Sequence, residues 1–163
     1  MTEFLNDYQS QRLLLDIVLL VVLIPSLYYD LVQNRIPNFL TVSGMIFGIL
    51  AAFMLGTEGQ IQGHLFGLVL GFGFFYILYL FGWVGGGDVK LMGAIGSLKG
   101  VAFLVNVLIY TSILGGLIAL LFLLKAFLKR ENFRKLKVPY GTAICLGTFV
   151  SLAIQYGLMS QAV

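Results

Sequence analysis

Apolar residues run in long unbroken stretches separated by short polar breaks. The pattern has neither the two-residue alternation of a half-buried strand nor the one-sided stripe of a water-facing helix. Residues 13–29, 39–55 and 61–83 form three such runs, the last two divided by the polar turn Gly56-Thr57-Glu58-Gly59-Gln60. Each is close to the roughly 20 residues that cross hydrocarbon, and lipid, which cannot satisfy an open backbone, makes each a helix. The apolar text from Val84 to Lys125 is too long for one crossing, and Ser97-Leu98-Lys99-Gly100 is its one turn signal, so two helices are expected there, 88–98 and 101–124. Residues 140–158 make a sixth. The expected fold is an all-α polytopic membrane protein of about six transmembrane helices, one domain over residues 1–163.

Composition agrees, since 60% of the 163 residues are hydrophobic and 10% charged, more apolar than a soluble domain of this size can bury. The first run follows a polar stretch carrying Glu3 and Asp7 and lacks the basic start and cleavage site of a secretory leader, so it reads as a retained span. The net charge of +3 conceals a cluster: Lys125, Lys129, Arg130, Arg134, Lys135 and Lys137. Flanked by apolar helices, this cluster reads as a loop against anionic lipid headgroups and not as a nucleic-acid surface. With Arg35 and Lys90 it sets eight basic residues on one face against Arg12 and Lys99 on the other. The positive-inside rule then places both termini outside the cytoplasmic membrane.

Gly63, Gly67 and Gly71, and likewise Gly44 and Gly48, recur at four-residue spacing, which lets a neighbouring helix approach closely. Cys145 has no Cys or His partner at ligand spacing, so neither a disulfide nor a zinc site is expected, and no metal or cofactor is called for. His64 falls near the outer end of the third run, and Ser97 and Thr111 lack a base.

Of seven carboxylates, Glu3, Asp7, Glu58 and Glu131 lie in polar tails or loops. Asp16, about one turn inside the outer end of the first helix, is expected to reach headgroup water. Asp30 closes the first run and Asp88 opens the fourth helix after Gly85-Gly86-Gly87, so the topology puts both at the cytoplasmic boundary. Ionisable groups there are costly unless paired or functional. Two carboxylates in a poorly solvated cleft share a proton, and amide hydrolysis needs such a pair: one draws a proton from water while the other polarises the carbonyl. The triple glycine reads as a sharp bend against which an extended substrate can lie; the plainer reading is a flexible hairpin with Asp88 as N-cap. A rival of another class is a small ion- or proton-coupled transporter using the same carboxylates, although no pair of broken helices in matching halves is evident.

These residues resemble the type IV prepilin peptidase family of membrane aspartic proteases, marked by Gly-x-Gly-Asp, here Gly85-Gly86-Gly87-Asp88. Asp30 followed by Arg35-Ile36-Pro37-Asn38 resembles the family's first catalytic segment. Val89-Lys90-Leu91 continues the second, and Val138-Pro139-Tyr140-Gly141 resembles a segment before the last helix. The resemblance implies catalysis by Asp30 and Asp88, with Gly85, Gly86, Gly87, Lys90, Pro37 and Asn38 forming or supporting the active-site loop. It implies prepilin or pseudopilin substrates with a short basic leader, cut after a glycine on the cytoplasmic side. Tyr29 and Trp83, interfacial aromatics near the carboxylates, and Pro139, Tyr140 and Gly141 are candidates for the substrate groove. The chain carries no amino-terminal Cys-x-x-Cys pairs and so resembles the short form of tight-adherence pilus systems, for which peptidase activity without N-methylation is expected. Arg35 is read as a phosphate anchor.

Overall fold

A computed structural model of the chain describes residues 2–55, 58–129 and 139–160. Five helices follow one another: α1 (Thr2–Gln33), α2 (Asn38–Leu55), α3 (Glu58–Leu80), α4 (Gly86–Lys129) and α5 (Tyr140–Ser160). Four of them contain stretches long and apolar enough to cross a membrane, and α2 supplies a shorter apolar helix. The chain is a multi-pass membrane protein.

α4 is not one rod. Its backbone leaves helical geometry at Gly100 (φ 77°, ψ 178°), a left-handed conformation that suits glycine. Gly71 of α3 faces both Met92 before the break and Leu104 after it. Further on, Gly115 lies against Tyr140, whose phenol is within electrostatic reach of Asp88. A straight helix would hold Gly115 about 40 Å from Asp88. The chain therefore reverses at Gly100, and the turn expected over 97–100 forms there.

The first half of α4 is the axis of the bundle. Leu91, Met92, Ala94, Ile95 and Leu98 have no exposed surface, as a helix apolar on every side requires. The outward faces of α1, α2, α3 and the second half of α4 carry exposed Leu, Ile, Val and Phe, the surface that lipid covers. With lipid as apolar as the side chains, helices associate through close contact, and small residues permit it. A Cβ on Gly67 would stand 2.4 Å from the Gly96 carbonyl oxygen, and one on Gly71 2.5 Å from that of Met92. Gly48 meets Ser97 in the same way. A Cβ on Gly63 would meet nothing within 4 Å, so although its backbone lies 3.4 Å from where a Cβ on Gly100 would stand, the approach there does not depend on Gly63 lacking a side chain.

The structure corrects the reading of Asp16. Asp16 is 4% exposed and its carboxylate forms a buried ion pair with Lys99, while the Tyr156 hydroxyl donates to its other oxygen at 2.6 Å. The Lys99 ammonium also lies 5.1 Å from the Phe103 ring centroid. A lone carboxylate at this depth would need headgroup water; a lysine from the α4 turn supplies the counter-charge instead, tying α1, α4 and α5 together at the end remote from Asp30.

Helix ends differ from expectation in small ways with clear causes. α1 continues past Pro25 to Gln33 and stops where Asn34 turns left-handed (φ 50°), its N–H donating to the Asp30 carbonyl at 2.9 Å. α3 stops at Leu80 and not near Trp83. Gly82 (φ 73°) donates to the Tyr79 carbonyl and Trp83 to that of Leu78, the paired bonds of a Schellman end. The basic cluster from Arg130 to Lys137, and Val138, lie outside the described residues.

Candidate active site

The two helix ends just described bring Asp30 and Asp88 to the same end of the bundle. Asp30 sits in the last turn of α1. After Asn34 the chain leaves that helix and carries Ile36, 7% exposed, into the space between the starts of α4 and α5. A Cβ on Gly87 would stand 3.0 Å from Ile36 Cβ, and one on Gly141 2.8 Å from Ile36 Cδ1 and 2.8 Å from Asp30 Cγ. Ile36 is thus the wedge around which the three segments meet. Gly87 and Gly141 thus share Ile36 as a neighbour, and Gly141 also meets Asp30, so Asp88, the residue after Gly87, is brought to the same neighbourhood as Asp30. Cys145 is buried with its thiol toward the Leu23 carbonyl.

Each carboxylate is held through one oxygen. Asp88 is the third residue of its helix, and its Oδ2 accepts the Gly85 N–H at 2.9 Å, while the Asp88 and Val89 N–H groups donate to the Gly85 carbonyl. The helix is therefore capped at Gly85, with Asp88 reaching back as the acid of a capping box does; Asp88 itself is not the N-cap. Asp30 Oδ2 accepts two bonds from the first turn of α5, the Thr142 N–H at 2.6 Å and the Thr142 hydroxyl at 2.8 Å. A helix start presents unpaired N–H groups and a positive dipole end, so the buried carboxylate finds its partner there.

The remaining oxygens, Oδ1 of Asp30 and Oδ1 of Asp88, make no hydrogen bond with the described residues and are not sealed by them: Thr111 Oγ1 is the buried side-chain oxygen without a partner among those residues. Both aspartates keep a little exposed surface, 5% and 7%. Two neighbouring carboxylates, each with one oxygen anchored and one open, can hold a water and exchange a proton with it.

The triple glycine does not make the bend expected of it. The left-handed residue is Gly82, whereas Gly87 and Gly85 are needed for close approach, to Ile36 and to the Asp88 carboxylate at 3.2 Å. Gly86 has room, with Tyr79 Cε2 3.6 Å from where a Cβ would stand. The Lys90 ammonium donates to Asn38 Oδ1 at 2.8 Å, which fastens the start of α2 to α4 just behind Pro37. Gly141 is buried against Asp30 and Ile36. Tyr140 packs on Phe75 (centroids 6.2 Å) within electrostatic reach of Asp88. Tyr29 and Pro139 are half-buried, and Trp83, 72% exposed, stacks near Phe81.

Thr142, Ile36, Phe75 and Tyr79 were given no role by sequence reasoning. Thr142 had one usable signal, a hydroxyl residue in the first turn after Pro139-Tyr140-Gly141. A cavity of about 990 Å³ opens at the other end of the bundle, beside Lys99, Arg12 and His64, and contains neither Asp30 nor Asp88. His64 Nδ1 donates to the Ser97 carbonyl at 2.7 Å, at the end of the bundle that contains neither aspartate.

Among protein families, the one described as the type IV leader peptidase family matches residues 17–120. A prepilin leader peptidase/N-methyltransferase from Myxococcus xanthus (strain DK1622) is 32% identical over 115 residues, which cover 66% of this chain and 34% of the relative. The matched region thus spans about a third of the length of that curated relative. No solved structure matches.

Proposed function

The chain belongs to the type IV leader peptidase family, and on that premise we propose that it is a membrane-embedded aspartic endopeptidase with Asp30 and Asp88 as its catalytic pair. The observation that carries this reading is the convergence of the two carboxylates at one end of the bundle, each with an Oδ1 left unpaired and unsealed by the described residues. One carboxylate takes a proton from water as the water attacks the scissile carbonyl. The other, protonated, donates to the carbonyl oxygen, and the proton returns to the amine as the C–N bond breaks. The pair titrates as a unit, so neither member is permanently the base.

The substrates are prepilin-like chains with a short basic leader, cut after a glycine at the cytoplasmic face of the inner membrane. The sequence resemblance and the family support this, as does the basic text beside α4 and α5. Six crossings, counting the reversal at Gly100, would leave both termini outside and both aspartates on the cytoplasmic side.

The test is leader removal from a co-expressed or reconstituted prepilin. Asp30→Asn and Asp88→Asn should each abolish processing while the protein stays inserted at normal abundance. Normal cleavage by either variant refutes the pair.

A further inference from the structure

Most aliphatic hydroxyls in this bundle are spent locally. Ser26, Ser43, Ser112, Thr148 and Ser151 each donate to the carbonyl one turn back in their own helix, the usual way to hide a hydroxyl in an apolar helix. Thr142 does otherwise. Its hydroxyl crosses from α5 to α1 and meets Asp30 Oδ2 at 2.8 Å, beside its own N–H at 2.6 Å on the same oxygen. Thr142 is 8% exposed and Asp30 5%, so water competes little for either bond.

We propose that Thr142 is a positioning residue for the peptidase reaction: by donating twice to Asp30 Oδ2, it fixes the rotation of the carboxylate and reserves Oδ1 for water and the proton shared with Asp88. This inference rests on the aspartic-pair reading above. A carboxylate oxygen offers two lone-pair directions. With a backbone N–H and a hydroxyl on Oδ2, that oxygen has no direction left for a proton, and the chemistry is confined to Oδ1. Asp88 is held more loosely, by the single Gly85 N–H on its Oδ2, so Thr142 is the side chain that makes the pair's geometry definite. Gly141 belongs to the same device. A Cβ there would stand 3.0 Å from Asp30 Oδ1, which leaves glycine as the residue that admits the carboxylate to the helix start.

Loss of one positioning contact at a reacting group typically slows turnover without weakening substrate binding in proportion. Thr142→Val keeps the shape and removes the hydroxyl; Thr142→Ser keeps the hydroxyl and removes the methyl. With purified protein in nanodiscs and a prepilin-type substrate, Thr142→Val should lower kcat about 10- to 100-fold with KM changed less than about 3-fold. Thr142→Ser should stay within about 3-fold of the parent. A merely packing role predicts the opposite order, and Thr142→Val within about twofold of the parent overturns the inference. Should Thr142→Val fail to fold, Thr142→Ala against Thr142→Ser makes the same comparison, because both lack the methyl and differ in the hydroxyl; equal kcat values overturn the inference. Asp30→Asn and Asp88→Asn run alongside. Activity in either removes the pair and this inference together, whereas inactive Asn variants with a fully active Thr142→Val remove this inference alone.

Discussion

Ile36 Cδ1 occupies the space that a Cβ on Gly141 would need, 2.8 Å away. That contact joins the segment after α1 to the first turn of α5 and presses the helix start against Asp30. Two neighbours that cannot easily yield, a buried isoleucine and an anchored carboxylate, make alanine at 141 an overpacking change costing about 1–3 kcal/mol. Gly141→Ala is expected to lose most leader cleavage and lower the thermal midpoint in nanodiscs.

The glycines before Asp88 should separate by the same criterion. Gly87→Ala sets a Cβ 3.0 Å from Ile36 Cβ and should impair cleavage about tenfold or more, since a 1 Å shift of a reacting group has effects of this size. Gly86→Ala meets Tyr79 at 3.6 Å and should keep near-parental activity. Equal damage from the two would mean that backbone freedom, and not close packing, explains the run.

At the far end, the buried Asp16–Lys99 pair is predicted to behave as a unit. Asp16→Asn or Lys99→Met alone leaves an uncompensated buried charge, at a cost of about 3–5 kcal/mol. Asp16→Asn combined with Lys99→Met should be clearly less destabilising than the sum of the single changes. Thermal unfolding of the four proteins in one lipid composition makes the double-mutant cycle; additive losses would show that the two residues do not interact.

The reversal at Gly100 gives a graded series. Gly100→Ala forces a side chain into left-handed backbone (φ 77°), at about 1–2 kcal/mol. Gly67→Ala should be at least as damaging, because its Cβ would meet Gly96 backbone at 2.4 Å, while Gly63→Ala, with open space around it, should be neutral. Folded yield after detergent extraction ranks the three.

Much of this architecture was legible in the text because lipid leaves so few options. Long apolar runs must be helices, which set α1 to α5 nearly in place, and the turn signal at 97–100 located the reversal of α4. Asp30 and Asp88 stood out because few carboxylates lay outside the polar tails and loops. The limits of that reading are just as specific. Asp16 looked interfacial, since its counter-ion Lys99 is 83 positions away. Gly63, Gly67 and Gly71 looked alike until packing separated them, and the bend assigned to Gly85-Gly86-Gly87 turned out to be made by Gly82.

The sequence alone determined that this is a helical membrane protein with two acidic residues near the ends of apolar segments, because hydropathy and chain length act locally and need no knowledge of neighbours. Only the tertiary structure decided which oxygen of each aspartate is held, that Thr142 from the last helix does the holding for Asp30, and that Asp16 is a buried ion-pair partner. Those outcomes depend on contacts between residues as much as 140 positions apart. Such contacts follow from how helices close on one another, and no local pattern of hydrophobic and polar residues encodes that distance.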